Sequence, residues 1–148
     1  MYQIKKQLKQ FSAAHRLIKG YQGKCRNLHG HNYAVSVLFA SDRLDQYDFV
    51  IDFDDISRLC DRWVHDNWDH SALISEDDKA LLEFCITEKQ KYYLVPNGKN
   101  TTVEALAEHL LQQLQILLSQ EKRCQHLKIL QVEIAESATA KAIFTAKD

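Results

Sequence analysis

From His29 to Phe39 every second position carries an apolar, aromatic or imidazole side chain: His29, His31, Tyr33, Val35, Val37 and Phe39. A period of two sustained over that length fits an extended strand with one buried face, because successive side chains of a strand point to opposite sides. Such a strand needs a partner, and the preceding segment offers one. Tyr2, Ile4 and Leu8 fall on even positions, whereas Phe11, Ala13 and His15 fall on odd ones. This change of phase predicts a first strand with a bulge near Lys9, paired with the second across a loop over Arg16 to Leu28 that contains Gly20 and Gly23.

Beyond a polar connection at Ser41 to Tyr47, the positions Ile56, Leu59, Cys60, Trp63 and Val64 have the spacing of an amphipathic helix, with Asp52 or Asp54 as its cap. Ser75 with Asp78 opens a shorter helix whose apolar side is Leu81, Leu82, Phe84 and Cys85. Pro96-Asn97-Gly98 is a turn signal. Thr101 and Glu104 form a T-x-x-E capping box ahead of a longer helix carrying Val103, Leu106, Ala107, Leu110, Leu111, Leu114, Leu117 and Leu118. Leu130, Val132, Ile134 and Glu136 alternate again, and with Ala140 to Thr145 they read as a second hairpin. The order hairpin, helices, hairpin predicts an α+β domain over residues 1–148, with an antiparallel four-stranded sheet and helices on one face. At 45% hydrophobic residues and only one proline, the chain can fill a core for one such domain.

A formal net charge of -1 gives no general attraction to nucleic acid or to an anionic membrane surface. Met1 to Lys9 lacks signal-peptide form, and no apolar run approaches the roughly 18 residues of a membrane span, so a cytoplasmic protein is expected. Cys25, Cys60, Cys85 and Cys124 are widely spaced without a C-x-x-C pair, and disulfides are not expected.

In a strand His29 and His31 project from the same face, and the glycine between them lets a neighbour approach closely. With His15 alongside in the hairpin, three imidazoles would fill three of zinc's four tetrahedral positions and leave one open, the pattern of a catalytic site. Cys25, four residues before His29, would be a thiolate base or nucleophile beside a dication, or else a fourth ligand or a buried small hydrophobe. Asp69 next to His70 has the make-up of a carboxylate-oriented imidazole for acid/base work, and also of a solvated surface pair. Glu136 continues an apolar face and so needs a partner, either a lysine or two N–H donors on the edge of a guanidine-like ring. His65 and His109 read as surface or core residues, Cys60 and Cys85 as core, and Lys19, Lys24 and Arg26 as solvated loop charges.

The motifs F-S-A-A-H-R-L, C-R-N-L-H-G-H, I-D-F, W-D-H-S-A-L and A-E-S-A-T-A, taken in order from Phe11 to Phe144, resemble the family of 6-pyruvoyl and 6-carboxytetrahydropterin synthases. The resemblance implies zinc on His15, His29 and His31, Cys25 as catalytic base, Asp69 and His70 as an acid/base relay, and Glu136 as anchor of the pterin ring. Glu104, in T-V-E-A-L-A, matches a motif beside the pterin pocket. It further implies the T-fold, a β-β-α-α-β-β unit whose sheets join into an oligomeric barrel, usually a hexamer with sites between subunits. The spacing of Cys25 to His29 is similar to that of the bacterial 6-carboxytetrahydropterin synthases of the queuosine pathway. Thr101 stands where a proline is common, Ser75 where an asparagine often stands, and the stretch Glu76 to Asn100 is longer than in compact members.

The implied reaction is that of a zinc-dependent lyase. It converts 7,8-dihydroneopterin triphosphate to 6-carboxy-5,6,7,8-tetrahydropterin with release of acetaldehyde and triphosphate. Two alternatives stand beside it: formation of 6-pyruvoyl tetrahydropterin without side-chain cleavage, and a non-catalytic pterin-binding or structural zinc protein in which Cys25 closes the metal site.

Overall fold

A computed structural model describes residues 1–147 and is organised around β3 (His29–Ser41), a strand of 13 residues. β1 (Tyr2–Gln7) pairs antiparallel with one half of it, from Tyr2 opposite Ser41 to Gln7 opposite Ser36. β2 (Phe11–His15) pairs with the other half, from Phe11 opposite Tyr33 to His15 opposite His29. Between the two registers the β1–β2 side uses one residue more than β3, which is the bulge expected near Lys9. The phase change therefore lets both halves point their apolar residues at one core, with Leu8, Phe11, Ala13, Tyr33, Val35, Val37 and Phe39 all buried.

β6 (Lys128–Ala135) lies antiparallel on the other side of β3, followed by β7 (Lys141–Thr145) as the expected hairpin. The register slips at Leu38/Phe39, so that Leu38 faces Gln131 and Phe39 faces Ile129. Leu130 is skipped, and Ile129 takes the core position that simple alternation gives to Leu130. The buried carboxylate of this strand is Glu133, which bonds Lys5 and Lys141 and is held below the usual carboxylate range, chiefly by the Lys5 hydrogen bond.

The sheet is not the antiparallel four-stranded one that the two hairpins predict. It has seven strands of mixed orientation, because β4 (Ser71–Ser75) pairs parallel with β2, and β5 (Tyr92–Val95) pairs parallel with β4. β4 shows no alternation because it is covered on both sides, with Leu73 and Ile74 both buried. Leu73 joins the main core, whereas Ile74 packs with Leu81 and Cys85 of α3 (Lys79–Thr87). Neighbouring strand residues face opposite sides, so α3 covers the face of the sheet away from that core. The helices are thus not all on one face. Phe84, counted by spacing on the apolar side of α3, is exposed.

Two helix starts also differ from expectation. Asp78, not Ser75, caps α3 by accepting from the Leu81 N–H at 3.3 Å, and Ser75 ends β4. Thr102, not Thr101, caps α4 (Val103–Gln120), accepting from the Ala105 N–H at 3.3 Å. α1 (Phe53–Ile56) is capped by Asp52 and runs through a wide π-type turn at Ser57–Asp61 into α2 (Arg62–Asn67). Ile56, Cys60 and Val64 from this continuous rod, and Leu106, Leu110, Leu114 and Leu118 from α4, fill the main core behind β3 and β6. Each such side chain contributes about 1.5–3 kcal/mol by leaving water. Among the described residues, no helix is long and apolar enough to cross a membrane.

Candidate metal centre and acid/base pair

The β2–β3 register sets His15 opposite His29 and Ala13 opposite His31, which brings three imidazoles to one face at the end of the hairpin. Their ring centroids lie 4.6, 4.8 and 5.1 Å apart, and one ligand nitrogen from each falls within 4.8 Å of the others. All three Nε2 atoms are buried without a hydrogen-bond partner. Polar atoms of that kind carry a desolvation cost unless something else occupies the space between them.

Two of the rings are oriented from behind. His15 Nδ1 donates to the Thr101 carbonyl at 2.8 Å, with the Thr101 hydroxyl 3.2 Å away. His29 Nδ1 donates to the Asn27 carbonyl at 2.6 Å. A carbonyl can only accept, so these contacts put the hydrogen on Nδ1 and leave a lone pair on Nε2. Burial lowers the His15 pKa, which favours the neutral ring that a metal requires. Three neutral imidazoles suit zinc or another imidazole-binding ion. The role of Thr101 at His15 explains why it does not cap α4: both its oxygens face the ring, and it is fully buried.

Gly30 has its own reason in the register. A Cβ at this position would stand 3.2 Å from the Ala13 carbonyl oxygen, so it is the β2 backbone that approaches closely between the two histidines.

Cys25 sits in a short turn (Lys24–Arg26), partly exposed, and its carbonyl accepts from the Leu17 N–H at 2.9 Å. Its sulfur is not a member of the close ligand group, which consists of the three histidines. Glu136 follows β6 on the face of Val132 and Ile134, and one of its oxygens lies 3.6 Å from His31 Nε2. That separation is beyond hydrogen-bond reach and leaves His31 Nε2 unpartnered, and the carboxylate has no lysine contact among the described residues. Glu104 stands in the first turn of α4 and lines a separate shallow cleft with Lys19, Asn100 and Phe144.

Asp69 and His70 form a hydrogen-bonding pair, Oδ2 to Nδ1 at 3.0 Å. Burial would raise the Asp69 carboxyl, but the Ser12 N–H on Oδ1 together with His70 and His65 outweighs it and holds the group below the usual range. His65, read from sequence as a surface or core residue, reaches the same Oδ2 at 3.3 Å. His70 adopts φ +55°, an uncommon conformation for a residue with a side chain, and its ring is largely exposed. A cleft of about 570 Å³ brings His70 and His31 to one space, with Leu28, Gly30, Ser71 and Lys91 also on its wall.

Three further features of the site leave little or no signature in the residue pattern. Thr101 and Asn27 hold the rings by their carbonyls, which any residue type has. Tyr33 continues the histidine face, fully buried, and its hydroxyl has no partner among the described residues. The third is the contact of His65 with Asp69, which helical spacing of four residues would have allowed.

Known proteins share both the sequence and the fold. A 6-carboxy-5,6,7,8-tetrahydropterin synthase of Rickettsia felis is 39% identical over 104 residues, 68% of this chain and 72% of its own length. The synthase of the same name from Haemophilus influenzae is 28% identical over 146 residues, 95% of this chain and 96% of its own. Among solved structures, an uncharacterized protein of Wolinella succinogenes superposes with a TM-score of 0.80 at 23% identity, covering 99% and 98% of the two chains. The 6-pyruvoyltetrahydropterin synthase of Plasmodium vivax gives a TM-score of 0.70 at 19% identity over the full length of both. Residues 3–147 match the model of the 6-pyruvoyl tetrahydropterin synthase family, and the chain belongs to that family.

Proposed function

We propose that the protein is a zinc-dependent 6-carboxy-5,6,7,8-tetrahydropterin synthase acting on 7,8-dihydroneopterin triphosphate and one water molecule, with acetaldehyde and triphosphate as the other products. The observation that carries the metal reading is the set of three buried, unpartnered Nε2 atoms of His15, His29 and His31. The relatives named 6-carboxy-5,6,7,8-tetrahydropterin synthase support the reaction. His15, His29 and His31 would hold zinc, which when bound supplies a Lewis acid to the substrate's oxygen atoms.

The remaining steps fall to the chain's own groups. Cys25 removes a carbon-bound proton from the substrate side chain. His70, oriented by Asp69 at 3.0 Å, gives and takes protons at its exposed Nε2. The Glu136 carboxylate accepts from the N–H edge of the pterin ring. Sheets joined into a barrel, a homo-oligomer of hexamer size, and sites completed by a neighbouring subunit belong to the same proposal, as do a cytoplasmic location and a product that supplies queuosine synthesis. No nucleic acid or membrane partner is proposed.

A second reading, formation of 6-pyruvoyl tetrahydropterin, is favoured by the description of the matched family. Incubation with dihydroneopterin triphosphate, with and without chelator, followed by mass spectrometry separates them. A chelator-sensitive product of 6-carboxytetrahydropterin mass is expected. A product retaining the three-carbon side chain would move the protein to the second reading, and no turnover of a zinc-loaded sample would favour a binding or structural protein.

A further inference from the structure

The last turn of α2 leaves carbonyl groups without helical partners. Lys91, the residue before β5, supplies one. Its Nζ donates to the His65 carbonyl at 3.0 Å and to the Asp69 carbonyl at 2.6 Å. The carbonyl of Lys91 itself accepts from the Ala72 N–H at 3.0 Å. Lys91 is thus fastened by its backbone to β4 and by its side chain to the chain just ahead of β4. The segment between these two attachments is His70 and Ser71.

That segment needs holding. His70 at φ +55° occupies the left-handed region, which a side chain disfavours and which persists only where surrounding contacts impose it. Ser71 is held by its hydroxyl on the Trp68 carbonyl at 2.7 Å and by its pairing with Ala13 of β2, so the residue left to fix is His70. The His70 N–H donates to the Ser12 carbonyl at 2.7 Å, and the Ser12 N–H donates to Asp69 Oδ1 at 3.0 Å. Those two bonds fix one side of the turn to β2. The Lys91 ammonium fixes the other, and its charge sits where a helix end favours a cation. The Asp69 carboxylate, meanwhile, offers a single oxygen to both His70 and His65, so its choice of partner depends on where the backbone holds it.

We infer that Lys91 is a positioning residue for the Asp69–His70 pair, and that the β5 segment which carries it serves to lock the turn bearing the acid/base imidazole. The inference rests on the acid/base role proposed for His70, and on that role alone for its effect on turnover. Lys91 also lines the cleft that contains His70, so direct contact with substrate phosphate is the competing explanation of any kinetic effect.

The test uses the full chain loaded with zinc, in the variants Lys91→Met and Lys91→Arg. Amide hydrogen exchange at Ser12 and His70 is read beside kcat and KM. Lys91→Met removes the charge from an exposed side chain and is expected to leave zinc content unchanged. Exchange at Ser12 and His70 should speed by about tenfold as the turn opens locally. The kcat value should fall about tenfold, the scale of outer-shell orienting contacts, with KM changed by less than about twofold. Lys91→Arg, which keeps the charge and several donors, should recover most of both. Unchanged exchange at Ser12 and His70 in Lys91→Met overturns the inference, and so does a raised KM at constant kcat, which marks a substrate contact. His70→Asn separates the two levels. If it retains full turnover, the acid/base role falls, and the exchange data alone then decide whether Lys91 holds the turn.

Discussion

The Nδ1 atom of His15 lies 2.8 Å from the carbonyl oxygen of Thr101, 86 residues further along the chain. The contact joins the metal-facing end of β2 to the residue just ahead of the α4 cap, so the histidine cluster and the longest helix share a support. Occupation of the cluster should therefore register in the stability of the fold as a whole.

Zinc titration of the metal-free protein is expected to raise Tm in a concentration-dependent way. Free zinc at about 100 times its Kd should add about 2.7 kcal/mol. His15→Ala should remove the effect by deleting one of three ligands. A Tm indifferent to zinc in the unaltered chain would mean that the three Nε2 atoms do not form a site.

Stability of the metal-free protein should also depend on pH in a definite direction. Burial lowers the pKa of both His15 and His109 from 6.5 in the folded state. The unfolded chain then binds more protons than the folded one below about that pH, and unfolding free energy rises with pH through the window. Their contribution is fully present above pH 6.5 and is lost as the pH falls from there through the folded values. Urea unfolding between pH 5 and 8 checks this, with a midpoint that moves to lower urea on the acid side. His109→Gln should flatten part of the slope, because its ring is the acceptor or donor to Tyr93 at 2.6 Å and not a metal ligand.

Gly30→Ala should weaken zinc binding more than it weakens the fold. The added methyl meets the Ala13 carbonyl at 3.2 Å, and relief requires β2 to move by a few tenths of an ångström relative to His29 and His31. Zinc affinity should drop by about tenfold or more, as metal sites tolerate only small changes in ligand geometry. Competition against a chromophoric chelator measures it.

Leu114→Ala is a control on the core. The side chain is fully buried in the main cluster and lines neither the His70 cleft nor the Glu104 cleft. A loss of about 2–5 kcal/mol is expected, read by denaturant titration.

Where the sequence speaks in periods, it is legible. The alternation of His29 to Phe39 and the phase change around Lys9 give β1, β2 and β3 with their bulge, and the same alternation puts three histidines on one face. The resemblance to the pterin synthases rests on motifs clustered at that face, and the family match bears it out. What escaped has a physical cause in each case. β4 is buried on both sides and five residues long, so Leu73 and Ile74 adjoin where alternation would separate them. The slip at Leu130 exchanges one apolar residue for another, leaving no trace in composition. Thr101 has the side chain of a cap and sits one residue too early, because His15 claims its carbonyl and hydroxyl. Contacts made through backbone carbonyls, such as those of Asn27, His65 and Asp69, carry no residue signature at all.

The distinction between a catalytic site and a closed structural one turns on Cys25, whose sulfur is not in the close ligand group. Zinc content and turnover measured together on the unaltered chain and on Cys25→Ala test this most directly. Near-stoichiometric zinc in both, with product formed from dihydroneopterin triphosphate only by the unaltered chain, is the predicted result. Loss of zinc from Cys25→Ala, or full activity without the thiol, would contradict an open three-histidine site served by Cys25 as its base.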